Sequence, residues 1–156
     1  MKISDILTED VIATRLPGRT KDEVLENMIA LASRSPNMTD KAKVRASILE
    51  RERIMSTGVG RGVAVPHSKC DGVSDTVTAF AVTAEPIDFQ SLDNSPVQLI
   101  FLLVGRENSV GAHLKLLSRI SRLMSSDTFR DKLIAAATPK DVIELFRKEE
   151  EQFFDN

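Results

Sequence analysis

The feature that most limits the fold is an apolar segment from Val97 to Val104, interrupted only by Gln98. This segment is far shorter than the ~20 residues that span a bilayer, so it predicts a strand buried on both faces. A second segment, from Thr76 to Thr83, alternates in period two and contains β-branched residues, which is typical of a half-buried strand. These two strands predict a central sheet that other elements must cover.

Helical patterns precede and follow these strands. Thr20 and Glu23 have the capping-box spacing that begins a helix, and Thr39-Asp40 begins a second helix that extends to about Ile54. Three more helices are predicted after the strands, with starts near Val110, Ser126 and Thr138. The sequence therefore predicts an α/β fold in which residues 1–156 form a single layered domain, with a central mixed sheet flanked by helices on both faces.

Three local expectations accompany this fold. The helix that starts near Val110 is predicted to bury Leu114 among its apolar residues, and the acidic tail from Lys148 to Asn156 is predicted to fray. The segment from Ser56 to Gly62 contains three of the seven glycines and is predicted to be a loop before a short buried strand, Val63 to Val65.

The composition excludes several classes of partner. Lys and Arg number 21 and Asp and Glu number 23, and this near balance argues against binding to bulk nucleic acid or to an anionic membrane. The only aromatic residues are 7 Phe, so a base-stacking platform is not expected. The first ten residues contain three acids, Asp5, Glu9 and Asp10, before any long apolar run, which does not fit a signal peptide. We therefore expect a cytoplasmic protein.

The side chains capable of nucleophilic chemistry near neutral pH are few: one Cys and two His. Cys70 lies three residues after His67, but two candidate ligands without a second pair are a weak metal signal, and we expect a small buried or half-buried side chain. The glycine spacing does not match the nucleotide-binding motifs, since these glycines precede a strand. No metal or other cofactor is expected.

His67 follows Pro66 directly, at the end of the predicted strand and just past the glycine-rich loop. Glycines allow backbone N–H groups to form an anion-binding concavity, and Pro66 restricts the direction in which the chain continues. A neutral imidazole beside such a concavity suits covalent phosphoryl transfer. The alternative is that His67 is an ordinary, partly exposed histidine at a strand end.

Two other residues are weaker candidates on the sequence alone. His113 lies in the first turn of a helix, where the helix dipole favours a neutral ring, but it fits equally well as a boundary residue. Arg51 precedes the glycine-rich loop, where a guanidinium can hold a phosphate in a bidentate manner. Its simpler interpretation is a cation that complements the helix C-terminus.

Several segments resemble one known family. The segment from Arg51 to His67 reads RERIMSTGVGRGVAVPH, and it resembles the active-site signature of the fructose/mannitol/nitrogen-type IIA domains of the phosphoenolpyruvate-dependent phosphotransferase system. Three later segments are also similar to this family: PIDF from Pro86, DNSPV from Asp93 and HLKLLSRI from His113. The resemblance covers essentially the whole chain.

The resemblance implies a phosphocarrier. His67 would accept a phosphoryl group from the phosphocarrier protein HPr, Arg51 would stabilise that group, and His113 would be the supporting imidazole. The phosphate-binding loop would comprise Ser56, Thr57, Gly58, Gly60 and Gly62. Two positions depart from the family pattern: Ser68 stands where glycine is frequent, and Arg61 occupies a variable position of the loop.

The predicted site needs a shallow and mostly apolar docking face, for which Met55, Val59 and Val63 are candidates. We expect a stand-alone protein, without a fused IIB-like domain or membrane transporter segment. Such a protein resembles the nitrogen-regulatory IIA proteins, which bind target proteins according to their phosphorylation state. One alternative is a fructose- or mannitol-type IIA that passes phosphate to a separate IIB. Another is a protein-binding module that is never phosphorylated.

Overall fold

The computed structural model describes residues 2–154, which form six helices and six strands beside one short 3-10 turn. The helices are α1 (Ile3–Ile6), α2 (Lys21–Ala32), α3 (Lys41–Ile54), α4 (Val110–Met124), α5 (Asp127–Ala135) and α6 (Pro139–Phe154). The strands are β1 (Ile12–Leu16), β2 (Gly58–Gly60), β3 (Val63–Ala64), β4 (His67–Lys69), β5 (Val77–Ile87) and β6 (Val97–Gly105). The predicted α/β class is confirmed.

The helices begin where side chains can cap them. The Thr20 hydroxyl accepts a hydrogen bond from the Glu23 amide at the start of α2 (3.2 Å). The Asp40 carboxylate accepts one from the Lys43 amide at the start of α3 (3.1 Å). Such caps satisfy amides that the first helical turn leaves without partners, so these two helix starts were predictable from local sequence.

The strands form one mixed sheet in the order β1-β5-β6-β3-β2, and β4 also pairs with β6, beyond β3. Strand β6 is antiparallel to β5 and parallel to β3 and β4. Every residue of β6 except Gln98 is buried. Because neighbouring residues of a strand point to opposite faces, this continuous burial means that both faces of the sheet are covered there, as predicted.

Strand β5 is more deeply buried than predicted. All residues from Val77 to Thr83 are buried, so this strand is not exposed on one face. Its threonines can be buried because their hydroxyls have acceptors: the Thr78 hydroxyl donates to the Ile6 carbonyl (3.0 Å) and the Thr83 hydroxyl to the Glu85 carbonyl (2.7 Å). Period-two alternation alone does not reveal such local satisfaction.

An aromatic cluster joins the sheet to the last two helices. Phe80 of β5 and Phe101 of β6 are register partners, and both contact the ring of Phe146 in edge-to-face geometry, at 5.3 and 5.8 Å between centroids. Phe129 of α5 contacts the other side of this cluster, 5.2 Å from Phe146. The cluster fixes α5 and α6 against the centre of the sheet.

The C-terminal segment differs from its prediction. Helix α6 continues through Phe154 instead of fraying, while the last two residues of the predicted tail lie outside the described residues. The reason is Glu150, whose fully buried carboxylate accepts hydrogen bonds from the amides of Ile3 (2.6 Å) and Ser4 (2.9 Å) and from Arg119 (2.7 Å). This carboxylate binds the first helix to the last one.

Two further expectations were wrong. Leu114 is 59% exposed instead of buried. The buried face of α4 is formed instead by His113, Leu116, Ile120, Leu123 and Met124. The predicted loop from Ser56 to Gly62 is partly a strand, since Gly58–Gly60 forms β2 and pairs with β3 in a short hairpin. No helix among residues 2–154 is both long enough and apolar enough to cross a membrane.

Candidate functional site

The candidate site lies beside β6, at the point where the strand paired with β6 changes from β3 to β4. β3 pairs with residues 99–100 of β6 and β4 pairs with residues 103–105, with Val65 and Pro66 between them. Pro66 has no N–H to donate, but its carbonyl accepts a hydrogen bond from Leu103 (3.0 Å). His67 therefore begins β4 in a backbone position fixed by the sheet.

The ring of His67 is held by the backbone two residues before it. Its Nδ1 lies 2.7 Å from the carbonyl oxygen of Val65. A carbonyl oxygen only accepts hydrogen bonds, so Nδ1 carries the proton in the neutral ring. This assignment leaves Nε2 with the free electron pair, which makes Nε2 the nucleophilic atom of the site.

The second histidine lies beside the first. His113, in the first turn of α4, has its ring centroid 5.9 Å from that of His67, with the planes tilted by 44°. Its side chain is buried, and its Nδ1 has no hydrogen-bond partner among the described residues. Burial, helped by the nearby His67 and Lys69, lowers the pKa of His113 to about 4. At neutral pH this ring is therefore uncharged.

A glycine makes this approach of α4 to the sheet possible. A Cβ added to Gly105, at the end of β6, would lie 2.8 Å from Nδ1 of His113. Real Cβ atoms do not come so close to another heavy atom, so a side chain at this position would displace the ring or the helix. The distance between the two imidazoles thus depends on Gly105.

Arg51 lies at the same place as the two histidines. It occupies the last turn of α3, and one of its guanidinium nitrogens donates to the Met55 carbonyl (3.0 Å). Arg51, His67 and His113 all line one open cavity of about 460 Å³; its other lining residues are Ser47, Glu50, Ile54, Ser68, Lys69, Val110, Leu114 and Leu117. The structure therefore brings the three predicted side chains together, while Arg51 also caps its own helix.

The predicted phosphate-binding loop lies beside this cavity but does not line it. Its first amides already have acceptors: Thr57 donates to the Glu52 carboxylate (2.7 Å) and Gly58 donates to the Ser56 hydroxyl (3.1 Å). The Ser56 hydroxyl in turn donates to the Phe89 carbonyl (2.8 Å). These hydrogen bonds fix the shape of the loop.

The tip of the hairpin is fixed by Asp93. Gly60, Arg61 and Gly62 all have positive φ angles (105°, 59° and 81°), a run that favours glycine at its ends. The Asp93 carboxylate accepts the amide of Arg61 (2.9 Å) and that of Ser95 (3.0 Å), which lowers the pKa of this carboxyl. The Arg61 guanidinium donates to the Ser125 carbonyl (3.3 Å) at the end of α4, so it is not among the residues lining the cavity.

The apolar surface beside the site is partly as predicted. Met55 and Val59 are exposed, but Val63 is buried because it belongs to β3 within the sheet. The predicted list missed three exposed apolar side chains that line the cavity itself: Ile54, Val110 and Leu114. Ile54 could have been predicted to line the cavity, because it lies in the same helical turn as Arg51.

Two residues singled out beside His67 in the sequence, Cys70 and Ser68, are both buried. Cys70 is a buried free thiol, as predicted. Ser68 is buried next to His67, and its hydroxyl has no partner among the described residues. No group of three or more metal-ligating side chains occurs within residues 2–154. Glu52 lies in the signature segment and in the charged cluster at the end of α3, but its burial was not predicted.

Comparison with known proteins shows one consistent similarity. Residues 5–149 match the family model described as "Phosphoenolpyruvate-dependent sugar phosphotransferase system, EIIA 2". The chain is 35% identical over 140 residues to the fructose-specific EIIA component of Haloferax volcanii, covering 90% of this chain and 91% of that protein. It is 30% identical over 148 residues to the fructose-specific EIIABC component of Bacillus subtilis, covering 95% of this chain but only 23% of that protein.

Solved structures show the same fold. The nitrogen regulatory protein IIA-Ntr from Neisseria meningitidis superimposes with a TM-score of 0.86 at 33% identity, covering 92% of this chain and 98% of that one. The enzyme IIAMTL of Escherichia coli, solved in complex with phosphorylated enzyme IIBMTL, superimposes with a TM-score of 0.78 at 18% identity, covering 90% of this chain and 96% of that one. The second likeness extends to the fold alone.

Proposed function

The chain belongs to the EIIA 2 family of the phosphoenolpyruvate-dependent sugar phosphotransferase system, and from this membership we propose that it carries a phosphoryl group on Nε2 of His67. The observation that carries the proposal is the 2.7 Å contact between Nδ1 of His67 and the Val65 carbonyl. This contact holds the proton on Nδ1 and leaves the electron pair on Nε2, in a side chain that lines an open cavity.

The donor in this proposal is the phosphohistidine of an HPr-like phosphocarrier protein. The electron pair of Nε2 attacks the donor's phosphorus, a new P–N bond forms, and the donor's P–N bond breaks with its electron pair returning to the donor's nitrogen. The reverse of the same step passes the group to the next protein. No metal or other cofactor takes part, because charge stabilisation and positioning supply the catalysis.

Arg51 and His113 would stabilise the transferred group from two sides of the cavity. The Arg51 guanidinium supplies positive charge and planar N–H donors, which match phosphoryl oxygens. His113 is neutral at physiological pH, so it supplies a hydrogen-bonding N–H without adding a second charge beside His67. We propose that one loop supports this site; its residues are Ser56, Thr57, Gly58, Gly60 and Gly62.

The partners would dock on the apolar side chains beside the cavity, where Ile54 is 74% exposed and Val110 is 47% exposed. Such a face excludes water from the transferring group while keeping the complex transient. We propose that residues 1–156 form one IIA domain that acts in the cytoplasm, without nucleic acid or membrane as a partner.

Two outputs are supported by different relatives. Similarity to IIA-Ntr favours a regulatory protein that binds targets according to its phosphorylation state. Similarity to the fructose-specific EIIA component favours transfer of the group to a separate IIB. Transfer of label from this protein to the IIB components of its source organism separates them, since only the second output needs that step.

The proposal is tested with phosphoenolpyruvate, enzyme I and HPr, followed by intact mass measurement. Addition of ~80 Da is expected, and the group should survive base and be lost in acid. His67→Ala should remain unlabelled, while His113→Ala should still accept the group more slowly. Long-range ¹H–¹⁵N NMR of the labelled protein should place the phosphorus on Nε2. An unchanged mass would favour a binding module that is never phosphorylated.

A further inference from the structure

Glu52 is a buried carboxylate that the proposed mechanism does not use. It is only 6% exposed and lies at the end of α3, next to Arg51 but directed to other partners. Its carboxylate accepts hydrogen bonds from both the amide and the hydroxyl of Thr57, the amide at 2.7 Å. Lys21 of α2 forms an ion pair with the same carboxylate (2.9 Å). Glu52 thus binds three segments of the chain together.

Stability alone is a poor explanation for this arrangement. A buried ion pair loses solvation that its attraction does not always recover, and apolar residues of similar volume often serve a core as well or better. What a buried carboxylate does supply is a fixed direction for the groups that donate to it. The question is therefore which group Glu52 orients.

A continuous series of hydrogen bonds runs from Glu52 to the ring of His67. Glu52 holds Thr57 at both its amide and its hydroxyl. The Thr57 carbonyl accepts the amide of Val65 (3.0 Å), and the Val65 carbonyl is the group that contacts Nδ1 of His67 (2.7 Å). Each member of the series is held by the one before it.

We propose that Glu52 is a positioning residue for His67. By holding Thr57, it fixes Val65, and the Val65 carbonyl then keeps the imidazole in the Nδ1–H tautomer with Nε2 free. The effect on phosphoryl transfer rests on the proposed function, but the effect on the tautomer does not, because a tautomer exists whether or not the ring is ever phosphorylated.

The test is Glu52→Gln, which keeps the side-chain volume but weakens the contacts to Thr57 and Lys21. The readout is the tautomer of His67, measured by long-range ¹H–¹⁵N NMR on the uniformly labelled protein. We expect a larger fraction of the Nε2–H tautomer, and phosphorylation by HPr slowed about 10-fold, which is typical when a supporting hydrogen bond is lost.

Glu26→Gln is the matched control. Glu26 lines the same surface cleft as Glu52, but its partner is the exposed Arg45, and it has no hydrogen bond to residues 57–67. It should leave both the tautomer and the rate unchanged. If Glu26→Gln shifts the tautomer as much as Glu52→Gln does, loss of a charge in the cleft is the cause and the proposal is overturned.

The remaining outcomes are also decisive. A folded Glu52→Gln protein with the wild-type tautomer ratio overturns the proposal. If that variant does not fold, Thr57→Val, which removes only the hydroxyl contact, should shift the ratio in the same direction, and an unshifted ratio overturns the proposal. If the tautomer shifts but even the wild-type protein is never phosphorylated, Glu52 keeps its positioning role and the proposed function fails.

Discussion

The rings of His67 and His113 lie 5.9 Å apart, and their surroundings differ sharply. His67 has a carbonyl acceptor for Nδ1, whereas Nδ1 of His113 is buried with no partner among the described residues. Two imidazolium ions at this distance would repel each other in a poorly solvated place. The geometry therefore distinguishes the two rings: Nδ1 of His67 is held by a carbonyl oxygen, and His113 is a buried, uncharged neighbour.

This difference between the rings predicts a specific pH dependence of stability. The pKa of His113 is about 4 in the folded protein and near 6.5 when unfolded, so the unfolded chain takes up the proton first as pH falls. The part of the free energy of unfolding that depends on this ring therefore has its full value above pH 6.5 and is lost progressively as the pH falls to about 4. We expect a loss of about 1–2 kcal/mol in the free energy of unfolding between pH 7.5 and pH 5, measured with urea. His113→Gln should flatten this part of the profile, and an NMR titration midpoint of His113 near 6.5 would contradict the prediction.

Replacing Arg51 should impair phosphoryl transfer while keeping the fold. Arg51→Ala removes the guanidinium from the cavity, and we expect the rate of phosphorylation to fall roughly 100-fold, the usual size for losing a charge-stabilising donor. Arg51→Lys should recover only part of this rate because an ammonium lacks the planar pair of donors. Arg53→Ala is the control, since Arg53 lies in the same turn, is exposed and pairs with Glu50. Equal rates for Arg51→Ala and wild type would mean that Arg51 only caps its own helix.

Adding one methyl group at Gly105 should disturb the site from behind. Gly105→Ala places a Cβ 2.8 Å from Nδ1 of His113, and we expect a loss of about 1–3 kcal/mol in the free energy of unfolding and slower transfer. Gly111→Ala is the control in the first turn of α4, where a Cβ would meet nothing within 4 Å. That variant should be stabilised by about 0.5–1 kcal/mol through helix propensity. Chemical denaturation of both variants checks the prediction, which fails if they change alike.

A charge on the exposed apolar face should weaken docking without changing the chemistry. Leu114→Asp places a carboxylate at the cavity, and we expect the KM for phosphorylated HPr to rise about 10-fold, with the thermal midpoint unchanged. Leu92→Asp is the control, because Leu92 is also exposed but does not line the cavity. Equal KM values for the two variants would mean that the partner docks elsewhere.

The sequence predicted what depends on local or continuous signals. The starts of α2 and α3 follow from Thr20 and Asp40, whose side chains bond to amides three residues later. The burial of β6 follows from its apolar run, which only Gln98 interrupts. In both cases the residues concerned are neighbours in the chain, so the physics can be read without knowing the rest of the fold.

The composition of the site could not be derived in the same way. His67 and His113 meet because β4 pairs with the end of β6, from which the chain leads into α4. Only the family resemblance had placed both histidines in one site. Thr57 was expected to belong to a phosphate-binding loop, but its amide already donates to the buried Glu52 carboxylate. The sequence of a glycine-rich segment does not by itself show which distant or buried group accepts hydrogen bonds from its amides.

The hydrogen bond between the Ile3 amide and the Glu150 carboxylate bears on how the chain could be reconnected without disturbing the cavity. Glu150 holds the amides of Ile3 and Ser4, so the first and last helices lie side by side, whereas the cavity draws all its residues from positions 47–117. Helices α1 and α6 are thus close in space and separate from the cavity. A short linker between them, with a new opening outside positions 47–117, would give a circular permutant whose cavity is made by an uncut stretch of chain.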